Sequence, residues 1–425
     1  MGDLLSRAAD LFPDLVFIRE GGQSLTFGEA ERAVRDRMPV ATRVVAPRLE
    51  IPSIIEVMAA VRSGGAILVG PSWPESLTLW RLDSLRGDDA STVIFTSGST
   101  GVAKAVRLTQ ENWEAAGTNS ARFYGFGPGL TWLLALPLHH VGGLSIVFRA
   151  LCSGGSVLVS PGLRLLRQVD FASLVPTQLS RAISEGGRKP QARAILIGGG
   201  PITPELASRA ADWPVVRTYG MTETAAVAAS ALPANGLGPM RPLPGVEFGV
   251  TNDGRLKVRG AQVSPGYVGE PDRGPARWFV TSDRGTVESD GTVVIGGRAD
   301  RVINTGGEKV DPEAIENLLL TLPGVDEVAV LGLPDAEWGE IVALAYSGDA
   351  LPAEVEDAVR TSLGGPAVPR RLLRTDLPRT ELGKVDYQAL VVLLVEASVS
   401  PPSFSPRRGE DRQRRGGGNS GGRRF

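Results

Sequence analysis

The sequence predicts an α/β protein: a large N-terminal domain of mostly parallel sheets flanked by helices, with a small β subdomain, followed by a small α+β C-terminal domain. Three observations predict it. Over the first 240 residues, buried-type apolar runs alternate with amphipathic helical segments, the pattern of parallel strands covered by helices. After about residue 240 the pattern changes to short alternating strands with Asn-Asp-Gly and Ser-Asp-Gly turns, which read as antiparallel hairpins. From Asp300 onward, helical and strand patterns mix as in a small α+β unit. Length agrees, because 425 residues exceed what one core normally serves.

The strands expected in order are RVVAP (43–47), GAILVG (65–70), STVIFT (91–96), WLLALPL (132–138), SVLVS (156–160), ARAILIGG (192–199) and VVRTYG (215–220). Helical periodicity runs through IPSIIEVMAAVRSG (51–64), TQENWEAAGTNSARFYG (109–125) and PTQLSRAISEG (176–186) between them. Hairpin patterns follow in GVEFGVTNDGRLKVRG (245–260) and GTVESDGTVVIGG (285–297). The final part holds helices PEAIENLLLTL (312–322) and AEVEDAVRTSL (353–363), with strands DEVAVLGL (326–333) and EIVALAYS (340–347). The expected boundaries are 1–299 for the large domain, 300–397 for the small one and 398–425 for a disordered tail. That tail carries seven Arg, two acidic residues and almost nothing apolar, too little to offset its chain entropy. Only Phe404 and Phe425 are interleaved with the arginines, so it reads as a solvated segment rather than a nucleic-acid binder.

Composition excludes several chemistries. Forty of the 45 basic residues are Arg and five are Lys; there are two His, adjacent at His139 and His140, and one Cys. A disulfide framework, a Cys-built zinc or iron–sulfur site and a His-ligated metal cage all lack their ligands. The segment MGDLLSRAADLF carries charges and no apolar core with a cleavage site, and no apolar run approaches membrane-spanning length. A cytoplasmic protein without a membrane partner is expected. A homo-oligomer is left open.

The strongest motif is STVIFTSGSTGVAKAVRLTQENW at 91–113. A buried-type strand runs into Thr96, Ser97, Gly98, Ser99, Thr100 and Gly101, then Lys104, then a helix. Glycines permit tight turns, and successive backbone N–H groups with four hydroxyls make a concavity for an anion. Lys104 adds a point charge able to reach phosphate. The Walker spacing is absent.

TSGSTG-x-x-K resembles the phosphate loop of the adenylate-forming superfamily of acyl-CoA synthetases, peptide-synthetase adenylation domains and luciferases. Further matches come in the superfamily's order: ILIGGGPITPEL at 195–206, YGMTET at 219–224, VTSDRG at 280–285, GRADRVINTGGEKVDPEAIE at 297–316 and LPRTELGKVDY at 377–387. The resemblance covers about residues 20–390. Within the superfamily, the compact length with LPLHHVGGLSIVFRAL, SLVPTQLSRAI and YGMTETAA looks most like the o-succinylbenzoate–CoA ligases of menaquinone biosynthesis.

The resemblance implies ATP, Mg²⁺ and coenzyme A, with a small-molecule carboxylic acid as partner substrate. It implies nucleotide contacts from Thr96 to Gly101, Lys104, Gly198, Gly199, Gly200, Tyr219, Gly220, Asp283 and Arg298. A stacking ring, glycines that let backbone approach a flat base, and an acceptor for a ribose diol suit those positions. Thr222 would donate to the α-phosphate, and Glu223 would hold the metal. Lys384 would bridge carboxylate and α-phosphate, where a cation offsets the charge of two approaching anions. His140 aligns with the residue that gates the acyl pocket. A second, spectator carboxylate calls for an Arg fork or hydroxyls, with Thr177, Arg181 and Thr224 as candidates. Asp300 is implied as the hinge of a mobile small domain. Gly306, Gly307 and Lys309 fall on the loop facing coenzyme A. The sequence departs from the superfamily at Ala103, Ala105 and Ser282, where Pro, Gly and Gly are common.

Overall fold

The computed structural model describes residues 3–38, 43–70, 90–96, 104–185, 189–274, 276–380 and 384–399. Three sheets organise them. The first is a path of 13 strands. Its central block runs in the spatial order Val16–Glu20, Ser156–Val159, Thr131–Leu134, Phe171–Leu174, Ala194–Ile197, Val215–Met221, and each neighbouring pair is parallel. Gln23–Thr26 closes one edge antiparallel. Beyond Val215–Met221 the pairing turns antiparallel through Ala226–Ala231, Met240–Pro242, Val293–Arg298, Phe279–Val287, Arg255–Arg259 and Glu247–Val250. The predicted β subdomain is thus a continuation of the same path, with Gly254 at φ +80 and Gly291 at φ +84 in its predicted turns.

The second sheet has the order Gly266–Tyr267, Lys104–Thr109, Ala90–Thr96, Ala66–Leu68, Arg43–Val45. One expectation fails here. Lys104 does not lead directly into a helix; Lys104–Thr109 is a strand that folds back antiparallel on Ala90–Thr96, pairing Thr96 with Lys104. The reason is burial: Ala105, Val106 and Leu108 are fully buried and need a sheet position. Thr109 then starts the helix, its hydroxyl accepting from the Asn112 N–H while Asn112 accepts from the Thr109 N–H. That helix, Gln110–Tyr124, ends on left-handed Gly125 at φ 67. It packs against Val141–Ser153 through stacked Trp113 and Phe148, 4.4 Å apart. One apolar cluster joins both helices to the two large sheets, from Leu4 to Ala231.

The third sheet contains Glu308–Val310, Ile303–Thr305, Gly339–Ser347 and Glu327–Asp335, with Arg371–Arg374 parallel to Gly339–Ser347. Helices Pro312–Leu319 and Pro352–Leu363 cover one face around Ile315, Val355 and Val359. Helix Tyr387–Val399 covers the other through Leu390 and Leu394. This is the small α+β unit, and its last helix runs to 399 rather than stopping at 397. The tail expected to be disordered from 398 lies outside the described residues from 400 on.

Candidate active site

Strand ends and turns of all three sheets bring the site together. At the end of Val215–Met221, the Tyr219 hydroxyl donates to Asp283 Oδ2 at 2.6 Å. Burial, with that carboxylate beside it, pushes the phenol up, so it stays a donor. Asp283 is the register partner of Arg298 across the adjoining strands, with Nη1 3.8 Å from Oδ1. Arg298 donates through Nε and Nη2 to both oxygens of Asp300, at 2.8 and 2.6 Å. Asp300 therefore sits on the one-turn helix Ala299–Arg301 at the junction of the two units, clamped to the last residue of the preceding strand.

Glu223 follows, on the single turn Thr222–Thr224. Its Oε1 accepts from the Tyr267 hydroxyl at 2.8 Å, and its backbone carbonyl accepts from the Ser264 N–H at 2.8 Å. The ring of Tyr267 lies 5.3 Å from Lys104 Nζ. Because Gly266–Tyr267 pairs with Lys104–Thr109, this tyrosine ties the root of the phosphate loop to the candidate metal carboxylate. Ser97, Gly98, Ser99, Thr100 and Gly101 of that loop, and Ala103, lie outside the described residues. Thr96 and Lys104 stand at its two ends, with the Thr96 hydroxyl donating to the Lys104 carbonyl at 3.4 Å.

The third component comes from the small unit. Lys384 lies on a loop whose base is closed by Thr380 N–H donating to the Lys384 carbonyl at 2.8 Å and by the Arg379–Val385 bridge. Its side chain reaches the turn after Ala194–Ile197: a Cβ placed on Gly199 would lie 3.6 Å from Lys384 Cε and 3.7 Å from Nζ. Burial, reinforced by the charge of Arg298, lowers the lysine below its ordinary value. His140, the N-cap of Val141–Ser153, is in the same field. Burial first, then His139 and Lys384, lower its imidazole to about 3, so it is neutral at physiological pH. The rings of His139 and His140 are 4.2 Å apart. Lys384 and a neutral imidazole thus stand in one field, with Arg298, itself held by Asp300 and Asp283, close enough to act on the lysine.

A model of the AMP-binding enzyme family matches residues 48–268, more than half of the chain, and its C-terminal domain matches 314–384. The chain belongs to the AMP-binding enzyme family. Among relatives in it, a probable 2-succinylbenzoate–CoA ligase of Mycobacterium tuberculosis is 35% identical over 376 residues, covering 81% of this chain and 95% of that protein. A 2-succinylbenzoate–CoA ligase of Listeria monocytogenes is 31% identical over 340 residues, covering 75% and 72%. The fold is shared with o-succinylbenzoate CoA synthetase of Bacillus subtilis bound to its acyl-adenylate: TM-score 0.79, 24% identity, 92% of this chain and 98% of that one. ATP-bound MatB of Rhodopseudomonas palustris is similar in fold to the same degree, with TM-score 0.80, 23% identity and coverage of 92% and 98%.

Several predicted positions of this AMP-binding enzyme acquire a different physical reason. Thr224 is fully buried, accepts from the Met221 N–H at 3.0 Å and lies 2.8 Å from the Ala226 carbonyl, to which it donates. Its hydroxyl is spent on the turn, so the expectation that it meets the acid is withdrawn. Gly220 is required by the chain itself, since a Cβ there would lie 1.8 Å from the Ala226 carbonyl oxygen. Gly198 is held by Thr218, whose Oγ1 would be 2.7 Å from a Cβ. Gly199, at φ +78, needs the left-handed conformation, and Gly200 lies against Pro176 at the start of Pro176–Ser184. On that helix Thr177 is half-buried one turn before Arg181, which is exposed. Gly306 and Gly307, at φ +59 and +87, form the two-residue turn of the hairpin Ile303–Thr305/Glu308–Val310, with Lys309 exposed on it. No hydrogen bond joins Lys309 to the other site residues described.

Tyr267 escaped the sequence reading. Pro-Gly-Tyr at 265–267 looks like an ordinary turn, and only the pairing with the strand after the phosphate loop gives it a role. For the metal, no group of three or more His, Cys, Asp or Glu forms a cage among the described residues. Glu223, half-buried with Oε1 already taken, fits a Mg²⁺ that arrives with nucleotide, keeps waters and draws its other oxygens from phosphate.

Proposed function

We propose that this chain is an ATP-dependent 2-succinylbenzoate–CoA ligase that forms an acyl-adenylate and AMP. The observation that carries the adenylation step is Lys384 of the small unit standing against Gly199, beside His140. The Mycobacterium tuberculosis and Listeria monocytogenes relatives, both named for 2-succinylbenzoate, support the acid, at 35% and 31% identity over most of the chain.

The proposed sequence has two steps. The acid's ionised carboxylate attacks the α-phosphorus of ATP, and pyrophosphate leaves with the electron pair of the broken P–O bond. Lys384 offsets the charge as the two anions meet, and Thr222 donates to the α-phosphate. Asp283 accepts from the ribose diol, with Tyr219 and Arg298 fixing its orientation. Glu223 would hold the Mg²⁺, whose charge would offset that of the phosphates. The thiol of coenzyme A then attacks the acyl carbon, expelling AMP. For that step the small domain, 300–397, turns about Asp300, withdraws Lys384 and offers the Gly306–Gly307 hairpin and Lys309. Thr177 and Arg181 are assigned to the spectator carboxylate. Cytoplasmic residence belongs to the same proposal; no described helix is long and apolar enough to cross a membrane.

The test is ATP–pyrophosphate exchange against a panel of carboxylic acids, followed by thioester formation with coenzyme A. Exchange that depends on o-succinylbenzoate is expected. Exchange driven only by another aryl or medium-chain acid would refute the specificity, and no acid-dependent exchange would refute the ligase. Activity that vanished on deletion of 400–425 would favour a tail-mediated binding protein instead.

A further inference from the structure

The Arg298–Asp300 pair lies at the pivot itself and does not explain what holds the small unit at the angle that puts Lys384 on Gly199. A second contact across the junction stands further out. Glu313 is in the first turn of Pro312–Leu319, a helix packed on the sheet of the small unit. Its Oε1 accepts from the backbone N–H of Arg298 at 3.2 Å, at the end of Val293–Arg298 in the large sheet. Its Oε2 lies over the backbone of Gly297, where a Cβ would be 2.7 Å away. Glycine, here at φ +104, leaves room for the carboxylate to come this close. The strand thus ends in bare backbone, and an acid of the neighbouring unit rests on it.

The other groups around Glu313 travel with it. Arg301 Nη1 is 3.5 Å from its Oε1, but that guanidinium is committed within the small unit. It donates to both oxygens of Glu316 at 3.2 and 2.6 Å and to the Val330 carbonyl at 2.9 Å, with the ring of Tyr387 4.8 Å away. Asp311 of the same unit accepts from the Glu313 N–H at 2.9 Å. Rotation about Asp300 carries this set as one piece and leaves Gly297 and Arg298 behind. The bond to the Arg298 N–H is the one that must break, and Arg301 stays beside the released carboxylate, which is not stranded without a counter-charge. Burial raises the Glu313 carboxyl above its ordinary range, with Arg301 acting the other way. The held position therefore carries a desolvation cost, which keeps the hold reversible.

We propose that Glu313 is a positioning residue: a latch on the Gly297–Arg298 backbone that holds the small domain where Lys384 serves adenylation and lets go for the attack of coenzyme A. The proposal rests on the ligase reading above. Glu313 acts on the reaction through the position of Lys384.

The test separates the half-reactions in Glu313→Ala and Glu313→Gln of the full chain. In Glu313→Ala, kcat of o-succinylbenzoate-dependent pyrophosphate exchange is expected to fall about ten-fold, the scale of one hydrogen bond to a charged group. Thioester formation from supplied acyl-adenylate should stay at or above the wild-type rate. Glu313→Gln keeps an acceptor for the Arg298 N–H and should recover most of the exchange. A residue that only stabilised the small unit would lower both half-reactions together. Equal loss of both, or unchanged exchange in Glu313→Ala, overturns the latch. Dipolar EPR between labels at exposed Asp212→Cys and Asp357→Cys, in a Cys152→Ser background, reads the position without turnover. Glu313→Ala should enlarge a second distance that the parent chain populates less, and identical distributions overturn the proposal. Should wild-type exchange fail with every acid, the ligase reading falls and the label distances alone decide the latch.

Discussion

Tyr267 shows how one hydroxyl can organise two functions. By donating to Glu223 Oε1 at 2.8 Å it orients the carboxylate proposed to hold the metal, and its ring lies 5.3 Å from Lys104 Nζ. Tyr267→Phe is expected to lower kcat/KM for MgATP about ten-fold, the scale of one hydrogen bond to a charged group; pyrophosphate exchange over a nucleotide titration measures it. His140 carries a second prediction. Its imidazole is lowered from 6.5 to about 3 in the fold, so between those values the unfolded chain binds the extra proton. Its contribution therefore favours the native state above pH 6.5 and is lost as pH falls from 6.5 towards 3. Chemical unfolding at pH 7 and pH 5 should show stability falling with acid, and His140→Phe should flatten that slope. An unchanged slope would remove His140 as its source.

Strand ends and the turns beside them place the candidate site residues. Gly199→Ala forces a Cβ into a left-handed position beside Lys384, costing about 1–2 kcal/mol in backbone strain. The expected result is a modest fall in unfolding midpoint with a larger loss of pyrophosphate exchange, and a variant keeping full exchange would separate Gly199 from the lysine. The elements themselves were legible: the apolar runs at 91–96, 194–197 and 215–221 and the Gly turns at 254 and 291 all fall where periodicity put them. The strand Lys104–Thr109 was not, because six residues with buried Ala105, Val106 and Leu108 look like the approach to the helix that follows. Motif order singled out Lys384, Glu223 and Asp283 as candidates, yet no pattern along the chain says that Thr224 spends its hydroxyl on Met221 and Ala226.

At the scale of the whole molecule, the small unit delivers one cation to a site otherwise built by the large one. Lys384→Ala is expected to cut adenylate formation at least about 10²-fold while sparing thioester formation from supplied acyl-adenylate. Equal loss of both half-reactions would sink the two-position reading, and single-turnover assays of each half distinguish the outcomes. Glu223, Tyr267 and Lys104 share one frame through Ser264 and the strand Gly266–Tyr267, and none of those contacts crosses to the small unit. Nucleotide retention and nucleotide reactivity are accordingly assigned to separate bodies. A ligand-displacement screen with labelled ATP would then be blind to every defect between Leu377 and Tyr387, and a compound that wedged this loop away from Gly199 would arrest turnover while leaving ATP bound.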